Sequence, residues 1–267
     1  MSRLQGRKAV IIGASGEDNI GQVIARRFKA EGADVLVSGR REEPLRKLAP
    51  DIGAHAKACD LAKKADIDAL LAEAERTMGG CDIAVNASGW GLLSPILETT
   101  EAELDQMTDL QFKGVYFFLQ VFGKHMAEAG GGSIIQITSA TTACPIDNHA
   151  AYIGTKAGGD YLVKCFANEL GARGVKVNSI APGLTRTPMA EGAMQTPGLE
   201  EAFIGRYPMG RIGTTDDIAD AALWLAEPTS FITGQVLHIN GGLTLRGNPT
   251  QAEVGASIAA AMAKQPA

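Results

Sequence analysis

Residues 8–39 read KAVIIGASGEDNIGQVIARRFKAEGADVLVSG. An apolar run, a glycine-rich turn, a segment of helical period and a second apolar run follow one another, and that order decides the fold. The first run, residues 8–12, is almost continuous in Val, Ile and Ala, as expected of a parallel strand covered on both faces. Gly13, Gly16 and Gly21 then surround a turn, after which apolar residues recur at helical spacing over residues 20–28. A parallel strand, a helix and a second parallel strand make a βαβ unit. Glycines in its first turn let the backbone approach a pyrophosphate, and the helix N-terminus adds free N–H groups and a partial positive charge. A plain tight turn would also use three glycines. The strand before and the helix after them favour dinucleotide binding.

The same rhythm continues along the chain. Helical period over 21–31 is followed by a strand at 34–38 and a helix at 42–49, then by a strand at 83–86 and helical period over 101–129. Further strands are expected at 133–138, 176–181 and 236–239, with helices at 152–173 and 216–226. Near-continuous apolar strands need helices on both sides, so the expected architecture is α/β, a doubly wound parallel sheet of the Rossmann type, with the ligand at the carboxyl ends of the strands. No linker, charge block or repeat divides the 267 residues. The expectation is a single dinucleotide-binding and catalytic domain over residues 1–246 and a C-terminal tail over 247–267.

Composition narrows the function classes. With 45% hydrophobic and 21% charged residues, the chain is neither disordered nor fibrous. A net charge of −5 argues against nucleic acid or an anionic membrane as main partner. Residues 1–6 lack the pattern of a secretory leader, and no apolar stretch is long enough to span a bilayer, so the cytoplasm is the expected location. Cys59, Cys81, Cys144 and Cys165 lie far apart, as do His55, His125, His149 and His238. Reduced, structural cysteines and no metal site are expected.

The second strand ends Ser38-Gly39-Arg40-Arg41. A dinucleotide with free ribose hydroxyls would meet an acidic side chain at this place, whereas a 2′-phosphate needs a cation. Arg40, helped by Arg41, suits that phosphate and points to NADP, with NAD still possible. Two arginines at a helix start are otherwise simply solvated.

Ser139 closes the strand at 133–138, Tyr152 comes thirteen residues later, and Lys156 follows at i+4. That spacing puts phenol and ammonium on one helical face. With Gly13 to Gly21, Asn86-Ala87-Ser88-Gly89 and Pro182-Gly183, these residues make the chain resemble the short-chain dehydrogenase/reductase family over residues 6 to about 243. A phenol is a poor proton shuttle at neutral pH, but a cation a few ångströms away favours phenolate by roughly 1–3 units. Lys156 would be that cation, Tyr152 the proton donor to a carbonyl oxygen, and Ser139 a second hydrogen-bond donor to it.

The resemblance implies cofactor contacts at Gly13, Ser15, Asn19, Ile20 and Arg40. It places Asp60 and Leu61 along the adenine, and Asn86, Ala87 and Gly89 at the middle. Tyr152, Lys156, Pro182, Gly183, Thr185 and Thr187 fall toward the nicotinamide. It also implies a homotetramer, with pairing near residues 232–242. Three features depart from the family pattern. The glycine loop is two residues longer than usual, as in bacterial enoyl-acyl carrier protein reductases, but those enzymes place six residues between Tyr and Lys where this chain has three. Ketone or alcohol chemistry is thereby favoured over alkene reduction. Asn86-Ala87-Ser88-Gly89 replaces Asn-Asn-Ala-Gly. Gln111 stands where the family has an Asn holding a water linked to the lysine, and is carried as a fourth catalytic candidate.

Residues 184–210 form the expected substrate loop, with Leu184, Met189, Met194, Phe203, Ile204 and Tyr207 as an apolar wall or as anchors. Trp90, Leu93, Cys144 and His149 are further candidates for the pocket. Val254, Ile258 and Met262 repeat at i, i+4 and i+8, consistent with a short amphipathic helix able to cover a neighbouring subunit's active site, or with a frayed end. The expected function is hydride transfer between NADP(H) and a small-molecule ketone or secondary alcohol, of carbonyl or 3-oxoacyl reductase type. The alternatives are an NAD-dependent secondary-alcohol dehydrogenase and a catalytically silent dinucleotide sensor.

Overall fold

The computed structural model describes residues 2–187, 190, 192 and 194–264. The strands β1 (Lys8–Ile12), β2 (Asp34–Gly39), β3 (His55–Ala58), β4 (Ile83–Asn86), β5 (Gly132–Ile137) and β6 (Val175–Pro182) appear in chain order. Two-residue strands β7 (Thr185–Arg186) and β8 (Gly213–Thr214) pair separately, and β9 (Val236–Ile239) completes the main sheet. That sheet has seven parallel strands in the order β3-β2-β1-β4-β5-β6-β9. The chain reverses its direction of winding between β1 and β4, which opens a crevice at their carboxyl ends.

Each strand feeds two cores because alternate side chains point to opposite faces. Ala9 and Ile11 of β1 join Val35 and Val37 of β2 under α1 (Ile20–Ala30), α2 (Glu42–Ile52) and the helix Thr215–Ala226, where Ile24, Phe28, Leu45 and Ile218 are fully buried. Val10, Ile12 and Leu36 face the other way, against α3 (Lys64–Met78), α5 (Gly114–Ala129) and α6 (Ala150–Leu170), through Ile67, Leu70, Phe118, Phe122 and Val163. Phe118→Ala empties the centre of this second core and is expected to cost about 3–5 kcal/mol, read as a lower urea midpoint at unchanged m-value.

The structure adds β3 and α3, which have no counterpart among the expected runs. β3 is a half-exposed edge strand reading His-Ala-Lys-Ala, with no apolar run to mark it. Residues 101–129, expected as one helical stretch, are α4 (Glu101–Thr108), a π turn (Asp109–Lys113) and α5 in succession. Beyond β6 lie α7 (Leu199–Ile204), α8 (Thr215–Ala226), α9 (Leu243–Arg246) and α10 (Gln251–Met262).

The tail is thus a helix, started by a capping box between Thr250 and Glu253. Ser257 Oγ donates to Gly198 O at 2.6 Å, and Arg206 pairs with Glu253, so the tail lies on α7 of its own chain. Met262, expected on the apolar stripe, is 60% exposed and takes no part. Cys59, Cys81 and Cys144 are buried free thiols, whereas Cys165, also expected to be structural, is exposed. Among the described residues no helix is long and apolar enough to cross a membrane.

Candidate active site

The crevice begins with a turn that only glycine can line. Gly13 has φ +96°, and a Cβ there would stand 2.5 Å from the carbonyl carbon of Ala87. A Cβ on Gly21 would stand 2.6 Å from Gly13 O. The β1 turn, the β4 turn and the start of α1 are therefore in backbone contact. Asn19 caps α1 by accepting from Gln22 N at 3.0 Å and donates Nδ2 to Gly13 O at 2.7 Å. It thereby closes the long loop onto the helix N-terminus, with half-buried Ile20 next to it. A cradle this tight, at the carboxyl ends of β1 and β4, fits a dinucleotide.

At the next strand end the two arginines differ. Arg41 donates to Ser15 O at 2.7 Å, and a Cβ on Gly39 would stand 2.7 Å from Ser15 Oγ, so Arg41 braces the loop. Arg40 is exposed, with no ion-pair partner among the described residues. Asp60 accepts from Ala62 N at 3.2 Å and Leu61 is buried, both just beyond β3. Asn86 donates to Gln136 Oε1 at 2.9 Å and accepts from Ser88 N at 3.0 Å and Ser88 Oγ at 2.6 Å. Ala87 N donates to Ile12 O at 2.8 Å. The Ser of Asn86-Ala87-Ser88-Gly89 thus satisfies the buried Asn86 amide from within the turn. Pro182 ends β6, Thr185 Oγ1 donates to Gly183 O at 2.9 Å, and Thr187 Oγ1 accepts from Ala190 N at 3.3 Å.

Ser139 follows β5 and starts a 3₁₀ turn (Ala140–Thr142), its Oγ accepting from Thr141 N at 3.2 Å and from Thr141 Oγ1 at 2.9 Å. The structure brings Tyr152 to this serine from the first turn of α6, with Lys156 one turn further along the same helix. Lys156 Nζ donates to Ile137 O at 3.0 Å and lies 5.7 Å from the centre of the Tyr152 ring. Gln111 reaches the same place from the π turn. A Cβ on Gly89 would stand 3.1 Å from Gln111 Oε1 and 3.3 Å from Lys156 Nζ, so amide and ammonium flank one glycine. Gln111 also donates to Thr155 Oγ1 at 3.3 Å and touches Met107 Sδ. The five-residue π turn sets its longer side chain inward at a functional crevice, as such turns often do.

Burial dominates the electrostatics. It pulls the Lys156 ammonium down to about 8, against the opposing pull of Asp160. It pushes the Tyr152 phenol up, against the Ser139 hydrogen bond, which favours the phenolate. The direction at Tyr152 is opposite to the expectation from a neighbouring cation, because removing phenolate from water outweighs the Ser139 hydrogen bond.

His149, a candidate for the pocket, is a fixed neighbour of Tyr152. Its ring meets Tyr152 edge to face at 6.0 Å, fixed by Nδ1 at 3.0 Å from Asp147 O. Of the two roles open to the apolar residues of the substrate loop, Tyr207 takes that of an anchor, buried with Ala140, Cys144, Ile212 and Leu243 and donating to Leu184 O at 3.3 Å. Leu184, Met194, Phe203 and Ile204 pack on that cluster, while Met189 lies outside the described residues. A groove of about 630 Å³ runs along Ile96, Pro145, Ile146, Ile153 and Gln251 of the tail, beside the first turn of α6, and is lined by none of Ser139, Tyr152 or Lys156.

A family profile described as enoyl-(acyl carrier protein) reductase matches residues 13–244. The chain is 34% identical to a glucose 1-dehydrogenase of Gluconobacter oxydans, over 92% of this chain and 95% of that protein. It is also 34% identical to a D-threitol dehydrogenase of Mycolicibacterium smegmatis, over 91% and 95%. Among solved structures, a gluconate 5-dehydrogenase of Burkholderia cenocepacia in complex with NADP and tartrate superposes with a TM-score of 0.86, at 30% identity over 91% and 97% of the two chains. The chain belongs to the short-chain dehydrogenase/reductase family. It is an oxidoreductase of that family, built on the Rossmann-type sheet described above.

Proposed function

We propose that the chain interconverts a secondary alcohol and its ketone with NADP(H), as a reductase of carbonyl or 3-oxoacyl type. The observation that carries this reading is the convergence of Ser139, Tyr152 and buried Lys156 beside the glycine cradle. When bound, the dinucleotide supplies a hydride to the carbonyl carbon or accepts one from the alcohol carbon, and its oxidised ring brings a positive charge. Tyr152 gives its proton to the carbonyl oxygen, and Ser139 donates to the same oxygen. A phenol pushed up by burial stays protonated at neutral pH, which suits it to act as the acid of ketone reduction. Lys156 holds the ribose side of the crevice, and Gln111 orients a proton path at its ammonium.

The names of the glucose, threitol and gluconate relatives support alcohol and carbonyl chemistry. The family profile's description names an enoyl reductase, but the one-turn spacing of Tyr152 and Lys156 favours the ketone. A panel of ketones, secondary alcohols and enoyl thioesters tests this. Turnover confined to the enoyl thioester overturns the reading, and tight dinucleotide binding with no turnover supports the silent sensor. Exposed Phe112, Tyr116 and Tyr161 on one side and Trp224 and Phe231 on another offer two apolar faces for a homotetramer, which light scattering would weigh.

The NADP reading rests on Arg40. A charge-assisted contact contributes about 1.5–3 kcal/mol, so Arg40→Ala is expected to weaken NADP(H) binding about 10- to 100-fold and leave NAD(H) unchanged. Arg41→Ala is expected to weaken both, because Arg41 also holds Ser15 of the loop. Fluorescence titration with each reduced dinucleotide reads the difference, and a preference for NAD(H) in the unaltered enzyme would reject the assignment.

A further inference from the structure

The mechanism above makes no use of Asp160, although it is the most unusual polar group next to the site. It lies one helical turn beyond Lys156 on α6 and is only 8% exposed. Its Oδ2 accepts from Thr142 Oγ1 at 3.0 Å, while its Oδ1 is buried without a hydrogen-bond partner among the described residues. A buried carboxylate with a bare oxygen does not serve stability, since an apolar residue of similar shape would avoid the loss of hydration. Thr142 ends the 3₁₀ turn that Ser139 begins, and its hydroxyl also lies 3.0 Å from Ser139 O.

Asp160 therefore touches the site from two directions. Through Thr142 it ties the Ser139 turn to the helix that carries Tyr152 and Lys156. Through space it sets an anion one turn from the ammonium. Among the described residues, the groups shown to face Lys156 from other elements are uncharged: Ile137 O from β5, Gln111 from the π turn and Gly89 beyond β4. Tyr152 faces it from its own helix.

We propose that Asp160 is a positioning residue of the active site, whose carboxylate fixes Ser139 against the Tyr152–Lys156 helix through Thr142 and serves as the counter-charge of Lys156. This rests on the roles proposed for those three residues. An anion makes every neighbouring group harder to deprotonate, so removing its charge moves the ionisation of the Tyr152–Lys156 pair toward acid whichever of the two loses the proton first.

Asp160→Asn removes the charge and keeps an acceptor for Thr142. The phenolate absorbance of Tyr152, taken as the difference between each protein and its Tyr152→Phe counterpart, is expected to appear about one pH unit lower in Asp160→Asn. The alkaline limb of kcat for ketone reduction should move with it. Asp160→Glu is expected to restore the limb. Thr142→Val keeps the charge and should lower kcat several-fold with the limb unmoved. A phenolate titration unchanged in Asp160→Asn overturns the counter-charge, and unchanged kcat in Thr142→Val overturns the tie. Should Asp160→Asn not fold, the titration in Asp160→Ala decides the first point. Full turnover in Tyr152→Phe would sink the underlying mechanism instead, and the absorbance titration would still judge Asp160.

Discussion

Tyr152→Phe is expected to lower kcat for ketone reduction by about 10²- to 10⁴-fold, with dinucleotide affinity and melting temperature close to those of the unaltered enzyme. The substitution removes one hydroxyl and keeps the ring, so the edge-to-face contact with His149 and the packing at the start of α6 survive. What disappears is the proton donor. Ser139→Ala should fall short of this, because losing one oriented donor costs about 2.7–4 kcal/mol and leaves the acid in place. Burial raises the phenol and lowers the ammonium, so the unaltered enzyme should reduce ketone at a steady rate through neutral pH and lose rate on the alkaline side, first as Lys156 gives up its proton at about 8 and then as Tyr152 does. Steady-state rates with a responsive ketone, and fluorescence titration of the reduced dinucleotide, separate the two effects. More than a tenth of the original kcat in Tyr152→Phe would remove the phenol from the mechanism.

The parts of this site that could be read from sequence are those whose signal is local. Strands buried on both faces show as runs such as Ala9 to Ile12, and the glycine turn with its cap at Asn19 lies within one stretch of chain. The Tyr152–Lys156 pair is legible because a helix turns fixed spacing into a shared face. β3 was hidden because an edge strand needs no apolar run, and α3 because its buried residues, Ile67, Leu70, Ala74 and Met78, are interrupted by charges. The π turn at Asp109–Lys113 leaves no local mark, since the same residues would continue an α-helix, yet it sets where Gln111 points. Which arginine folds back on Ser15 depends on how β2 ends in space, so the bracing role of Arg41 has no mark in the sequence. Asp160 reads as one more acid on a helix, and only the approach of Thr142 from eighteen residues away shows that it is inside.

Lys156→Met is expected to give a more stable and almost inactive protein. Burial holds the Lys156 ammonium at about 8 in the folded chain, against 10.5 for an ordinary lysine. Below about 8 the folded protein carries a charge it would rather lose, at a cost of roughly 3 kcal/mol relative to the unfolded chain. Between about 8 and 10.5 the unfolded chain still binds the proton that the folded chain has released, so stability rises with pH, and above 10.5 the cost is gone. Met fills the same volume without a charge. The lost bond to Ile137 O offsets about 1 kcal/mol, and the bare Asp160 carboxylate takes back part of the rest, leaving a gain of about 1–2 kcal/mol at pH 7. Urea unfolding without dinucleotide should show that gain at pH 7 and little or none at pH 10. Activity should fall at least about 100-fold, because the cation beside Tyr152 and Gln111 is gone. A Lys156→Met protein less stable than the original at pH 7 would mean that the ammonium supports the fold rather than the chemistry. The opposite result would identify Lys156 as a charge the fold carries for the sake of proton transfer, as expected of a buried ammonium whose hydrogen bond among the described residues goes to a single carbonyl, Ile137 O.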